Sequence, residues 1–249
     1  MSYDSDRART VLFGGGGVSG VILNDTWEYD GTDWTQRSSS SSPQVRLDAG
    51  MAYDRIRRKT VLFGGYNGAA VFGDTWEWDG SNWTMKNPTS SPAPRWYFHL
   101  VFDEARGKIL GCGGLADNAS FNDTWVYDGT TWTQIAISTL PMQRYHHALA
   151  YDPSRDLLVL YGGLPSQSLP AIYLTDTWHY VSGRWILQND AGSPTASYGF
   201  PLTFDSSRNH LVGFSGIASG GTSVPDKHQY DGTPVHWSWA WNAKIRPSK

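Results

Sequence analysis

Apolar residues in this chain fall in short blocks closed by glycine, aspartate, serine or proline, and no block is longer than a β-strand. Over residues 50–85 the pattern predicts four strands, reading Gly50 to Tyr53, Thr60 to Gly64, Thr75 to Trp78 and Asn82 to Met85, each bounded by turn formers. The second is apolar at Val61, Leu62 and Phe63 in succession, as expected of a strand covered on both faces. The first carries small residues, Gly50 and Ala52 here and Ala148 and Ala150 further on, which suits backbones crowded near an axis. No run suggests a helix.

The four-strand block is one copy of a repeat. An apolar strand ending in two glycines occurs at Phe13-Gly14-Gly15, Phe63-Gly64-Gly65, Cys112-Gly113-Gly114 and Tyr161-Gly162-Gly163, with Phe214-Ser215-Gly216 as a degraded fifth, at steps of 50, 49, 49 and 53 residues. Asp-Thr-Trp follows at residues 25, 74, 123 and 176, with Asp226-Lys227-His228 as the divergent copy, and a further tryptophan comes seven positions later at Trp34, Trp83, Trp132 and Trp185. Between the first two strands lies Asp-x-x-Arg in every copy, from Asp4/Arg7 to Asp205/Arg208, and this pair reads as a hairpin device in which the arginine folds back on the aspartate. Between the last two stands Asp-Gly or Ser-Gly, a tight-turn signal.

A four-stranded unit with apolar residues on both faces needs a neighbour on each side. Radial stacking satisfies that need, so the expected fold is all-β: a β-propeller of five four-stranded blades around a central axis, in one domain over 1–249. The blades fall near 1–43, 44–92, 93–141, 142–194 and 195–249. The Gly-Gly strand end, the later aromatic and the spaced tryptophan, at a period near 50, resemble the kelch repeat, in wording that is similar to bacterial kelch proteins, over nearly the whole chain. The WD40 repeat has a period of about 40 to 45 and another signature, and the sialidase Asp-box has its Asp and Gly separated where here they adjoin. Kelch propellers usually have more blades than the five counted here, so the chain reads as a closed small ring or as a piece of a longer kelch protein. From the fourth-strand tryptophan to the residue preceding the next first strand is 12 positions in each of the first four copies, as in Trp34 to Arg46, and 12 from Trp237 lands on Lys249, which favours closure at a blade boundary. The closing seam, sharing no strand, is then expected to be the weakest, or to be covered by a second chain.

Composition narrows the partners. Twenty basic and 23 acidic residues leave no surplus to neutralise phosphates, so nucleic acid is not expected, and no window approaches the ~18 apolar residues of a membrane helix. The start of the chain has no secretory signal, which points to the cytoplasm unless a native N-terminus has been removed. A single cysteine, Cys112, excludes an intramolecular disulfide. The 13 Trp and 13 Tyr instead supply aromatic mass for packing and for binding.

In a propeller the second-to-third-strand loops and the inter-blade loops share one face. The inter-blade loops deliver Arg46, Arg95 and Arg144 at equivalent places, followed by Asp48, by Trp96, Tyr97 and His99, and by Tyr145 and His146, with Tyr198 in the copy where Ser197 replaces arginine. Two readings stand side by side: the guanidinium groups clamp a carboxylate or a sugar beside stacking rings, or each arginine braces its own blade. The loop of blade 4 is longer, 12 residues against 8 or 9, and its apolar stretch Leu169 to Leu174 reads as a lid, a partner contact or a loop packed on blade 5. Enzyme readings that the resemblance brings are a copper oxidase, for which Cys112 sits at a core position, and an acidic-sugar (sialate-type) epimerase or mutarotase using Arg95, Arg144, His146 and Asp48. His99, His146 and His147 are the metal-ligand candidates. The expectation is a non-enzymatic binding module without cofactor, monomeric or weakly dimeric, whose loop face takes a protein segment or a carbohydrate-like ligand.

Overall fold

The computed structural model describes residues 1–117, 119–167, 172–188, 197–214, 216–218, 227–230 and 237–239. The fold is all-β, a β-propeller of five four-stranded antiparallel blades, and the chain divides into two compact units: Met1–Tyr145 with Pro165–Gln167, and His146–Leu164 with Ser168–Lys249. The first unit holds three blades. Blade 1 is β1 (Ser2–Asp4), β2 (Arg9–Gly16), β3 (Ile22–Tyr29) and β4 (Trp34–Arg37); blade 2 is β5 (Gly50–Asp54), β6 (Lys59–Phe63), β7 (Thr75–Trp78) and β8 (Trp83–Lys86). Blade 3 is β9 (His99–Asp103), β10 (Lys108–Cys112), β13 (Thr124–Tyr127) and β14 (Trp132–Gln134), with a small ribbon, β11 (Leu115–Ala116) and β12 (Ala119–Ser120), inserted before its third strand.

The second unit holds blade 4, made of β15 (Ala148–Asp152), β16 (Leu157–Tyr161), β17 (Thr177–Val181) and β18 (Arg184–Gln188). It also holds a two-stranded ribbon, β19 (Ser197–Tyr198) with β22 (Ile217–Ala218), and blade 5, made of β20 (Leu202–Asp205), β21 (His210–Phe214), β23 (Lys227–Tyr230) and β24 (Trp237–Trp239). Asp226, Asp231-Gly232, the count from Trp237 to Lys249 and the apolar stretch at residues 169–171 lie outside the described residues.

Local chemistry explains the boundaries. Gly64 and Gly65 take φ of +68° and +106°, so the strand expected to include Gly64 stops at Phe63. Asn82, expected in a strand, belongs instead to the Asp-Gly turn, where Asp79 Oδ1 accepts from the backbone N–H of Ser81 (2.9 Å) and of Asn82 (2.8 Å). The Asp-x-x-Arg device forms as expected. Asp4 Oδ1 accepts from the N–H of Asp6 and Arg7, while Arg7 Nε returns to Oδ2 at 2.6 Å.

Blades of one unit meet through aromatic cores. Phe13 lies edge-on to Trp83 at 5.2 Å, and at the equivalent place Phe63 lies edge-on to Trp132 at 5.3 Å. Each buried ring removes roughly 150–250 Å² from water, worth several kcal/mol. The polar edges of these rings are satisfied by the preceding blade: the Trp83 indole donates to Thr26 Oγ1 at 2.8 Å and Trp132 to Thr75 Oγ1 at 3.0 Å. A second polar link crosses each of these seams, Trp78 Nε1 to Glu28 (3.0 Å) and Tyr127 Oη to Glu77 (3.0 Å). In the second unit His179 Nε2 and Tyr230 Oη occupy the same places, 2.6 Å apart. Gly50 shows why the first strand is small, because a Cβ there would stand 2.1 Å from the Phe98 carbonyl oxygen. Blade 1 differs: Trp34 is 44% exposed, whereas Trp83 and Trp132 are buried.

Candidate functional site

The loops on one face of the first unit are held by backbone pairing. Leu47 and Tyr66 exchange both N–H···O bonds (2.9 and 3.0 Å), as do Trp96 and Leu115 (both 2.9 Å). Each inter-blade loop is thereby fastened beside the loop that follows a glycine pair, which fixes the side chains projecting between them.

The arginines take the bracing role. Arg46 and Arg95 are each 1% exposed, and both guanidinium groups are bonded within the fold. Arg46 donates to the Gly64 carbonyl (2.8 Å) and, through both terminal nitrogens, to the Asp74 carboxylate (2.6 and 2.8 Å). Arg95 repeats this on the Gly113 carbonyl (3.1 Å) and Asp123 (2.5 and 3.0 Å). Their backbones belong to the other side of the seam: Arg46 N–H donates to Leu23 O and its carbonyl accepts from Gly15, and Arg95 does the same with Phe72 and Gly65. Each therefore staples one blade to the next. Arg144 is equally buried, with Nε donating to the Met142 carbonyl at 2.9 Å. Of the two readings of these arginines, bracing is the one their burial and pairing match, because a charge taken out of water must be neutralised where it is buried. Burial alone pushes the Asp74 carboxyl up, but the hydrogen bonds and charge of Arg46 outweigh it and hold the group below the usual carboxylate range.

Beside the arginines runs a row of aromatic rings, half-buried at Tyr66, Trp96 and Tyr97 and buried at Tyr145. Tyr66 and Trp96 have ring centroids 5.0 Å apart, Trp96 stacks on Tyr97 at 4.3 Å, and Tyr97 lies 5.8 Å from Tyr145. One end of this row borders an open groove of about 670 Å³. Tyr66, Ala69 and Val71 line it from the blade 2 loop, Ala116, Asp117 and Phe121 from the blade 3 loop, and Ala93, Pro94 and Trp96 from the chain joining those blades, with Gln167 at the margin. The Arg95 guanidinium lies 3.8 Å from the Phe121 centroid, packed against that ring. No lysine or arginine lines the groove.

The same loops contain a feature the sequence reading missed. Asp48, Tyr97, His146 and Gly199 stand at equivalent positions and all have left-handed backbones, with φ of +55°, +52°, +55° and +64°. The Tyr97 N–H donates to the Asp48 carbonyl (2.9 Å) in the first unit, and the Gly199 N–H to the His146 carbonyl (3.1 Å) in the second. A glycine in one copy was the available signal. Asp48 is exposed, yet partial desolvation raises its carboxyl above the ordinary value, opposed by a hydrogen bond with Tyr97.

Of the remaining candidates, His99 is half-buried at the start of β9, Tyr145 is buried, and Tyr198 packs in the second unit 5.4 Å from His146 and 5.9 Å from Tyr173. Buried His147 lies beside them in sequence, and no three metal-ligating side chains come together among the described residues. Cys112 is buried and its thiol is pushed up to about 12, so it has no nucleophilic character near neutral pH. Compared with protein-family models and with curated proteins, the chain matches none.

Proposed function

We propose that this chain is a non-enzymatic binding module, a kelch-like propeller whose aromatic groove between blades 2 and 3 takes a protein segment. The observation that carries this reading is the division of labour among the loop residues. Arg46 and Arg95 are committed to Asp74 and Asp123, which leaves an aromatic and aliphatic surface without cations. An acidic-sugar isomerase would need a carboxylate clamp, and of the arginines named for it Arg95 is committed to Asp123 and Arg144 is equally buried. A neutral sugar needs a partner for each hydroxyl, whereas the groove offers few polar side chains, chiefly Asp117, Gln167 and the Trp96 indole. An apolar cleft with a few fixed polar groups suits a peptide better.

The test is selection of a displayed random-peptide library on the wild-type chain and on Trp96→Ala, with a neutral-glycan panel in parallel. Enrichment of a peptide consensus on the wild type that Trp96→Ala loses is the expected result. Selection of glycans without peptides, or a consensus indifferent to Trp96→Ala, would overturn the reading.

A further inference from the structure

We infer that the segment this groove takes is proline-rich, extended in the polyproline II form, and carries a basic residue that meets Asp117. The inference rests on the binding-module reading and specifies its ligand class.

Three features carry it. The first is the spacing of flat apolar surfaces. Tyr66 and Trp96, 5.0 Å apart, border a trough whose remaining walls are short or rigid, with Val71, Pro94 and the Phe121 ring. A polyproline II chain repeats every three residues and presents rigid pyrrolidine rings that enter such a trough at little entropic cost, which is how aromatic-lined grooves recognise it.

The second is the Trp96 indole. Among the buried tryptophans of the repeat signature, Trp76 donates its Nε1–H to Asp74, Trp125 to Asp123, Trp83 to Thr26 and Trp132 to Thr75, whereas exposed Trp34 has no acceptor among the described residues. The half-buried Trp96 is not part of that signature, and its Nε1–H has no acceptor among the described residues. Proline carbonyls are strong acceptors that lack a neighbouring N–H, so a proline-rich chain supplies acceptors without demanding a donor partner in return.

The third is charge. Asp117 is exposed, makes no ion pair among the described residues, and is the only charged side chain lining the groove. An uncompensated carboxylate at the edge of an apolar cleft favours a cation on the ligand and repels an acidic one.

The experiment uses the whole chain and four fluorescein-labelled decapeptides read by fluorescence anisotropy. The first is a run of prolines and alanines ending in arginine, the second the same run ending in glutamate, the third a glycine-serine peptide ending in arginine, and the fourth a leucine-rich amphipathic peptide. Binding of the proline peptides over the glycine-serine one, with arginine preferred over glutamate, is expected. Trp96→Phe keeps a ring and removes the donor, and is expected to weaken the proline-arginine peptide about tenfold, one hydrogen bond's worth. Asp117→Asn, conservative at a φ of +51°, is expected to erase the preference between arginine and glutamate. Circular dichroism of each variant confirms that it folds. Binding of the leucine-rich peptide alone would overturn the inference and leave the binding-module reading standing, whereas binding of none of the four, with no consensus from the library, would end both.

Discussion

At the scale of single residues, the most informative side chains are Arg46 and Arg95. Each joins backbone hydrogen bonds on one blade to a two-pronged ion pair on the next, and the geometry is one only arginine provides, since lysine has a single point charge. Breaking a buried pair by removing one partner leaves the other unmatched, so Arg95→Ala is expected to cost about 3–5 kcal/mol in urea unfolding, and the double variant with Asp123→Asn less than the sum of the singles. A loss within the ~1 kcal/mol of an exposed pair would show that the staple is idle. The sequence displayed the arginines and the aspartates as separate repeats. Their constant separation of 28 residues, Arg46 to Asp74 and Arg95 to Asp123, was the signal that they are one device.

At the scale of elements, the seams between blades within each unit use one plan with interchangeable chemistry. The fourth residue of Asp-Thr-Trp-x meets a polar atom of the aromatic of the next blade, where x is Glu28, Glu77 or His179. His179 gives its seam a pH dependence. Desolvation lowers its pKa from 6.5 to about 4, against a raising effect of Asp152. Between those values the unfolded chain binds a proton that the folded chain does not, so stability falls as pH drops from about 6.5 towards 4 and is flat above. The depression corresponds to roughly 3 kcal/mol at most. Urea midpoints of probes in the second unit, followed from pH 8 to pH 4, check this, and His179→Gln, which copies Gln229 of blade 5, is expected to flatten the slope. An unchanged slope would place the acid sensitivity elsewhere, in carboxylates such as Asp74 whose lowered pKa also removes stability as pH falls.

At the scale of the whole molecule, coverage differs from blade to blade. Every residue of β5 is buried, as are four of the five in β6, whereas β1 has only Asp4 buried and β2 alternates. Amide exchange in β5 and β6 is therefore expected to be slower than in β1 and β2 by about an order of magnitude or more, because opening the former exposes core on both faces. Equal protection across the two blades would contradict the burial pattern.

The repeat alone determined the class of fold and the turn chemistry. Alternation, glycine pairs and Asp-Gly turns are local rules obeyed by neighbours in sequence, and the spacing of Asp4 from Arg7 already implied the hydrogen bonds the structure contains. It also singled out the loops where Trp96, Tyr97 and Tyr145 stand. What it left open was which of the loop side chains point outward. Arg95 and Trp96 are adjacent in sequence, and both are suited to ligand contact by type. Only the tertiary structure decides that one is sealed against Asp123 and Phe121 while the other borders open space, because burial and pairing depend on atoms 26 or 28 residues away that no local pattern encodes.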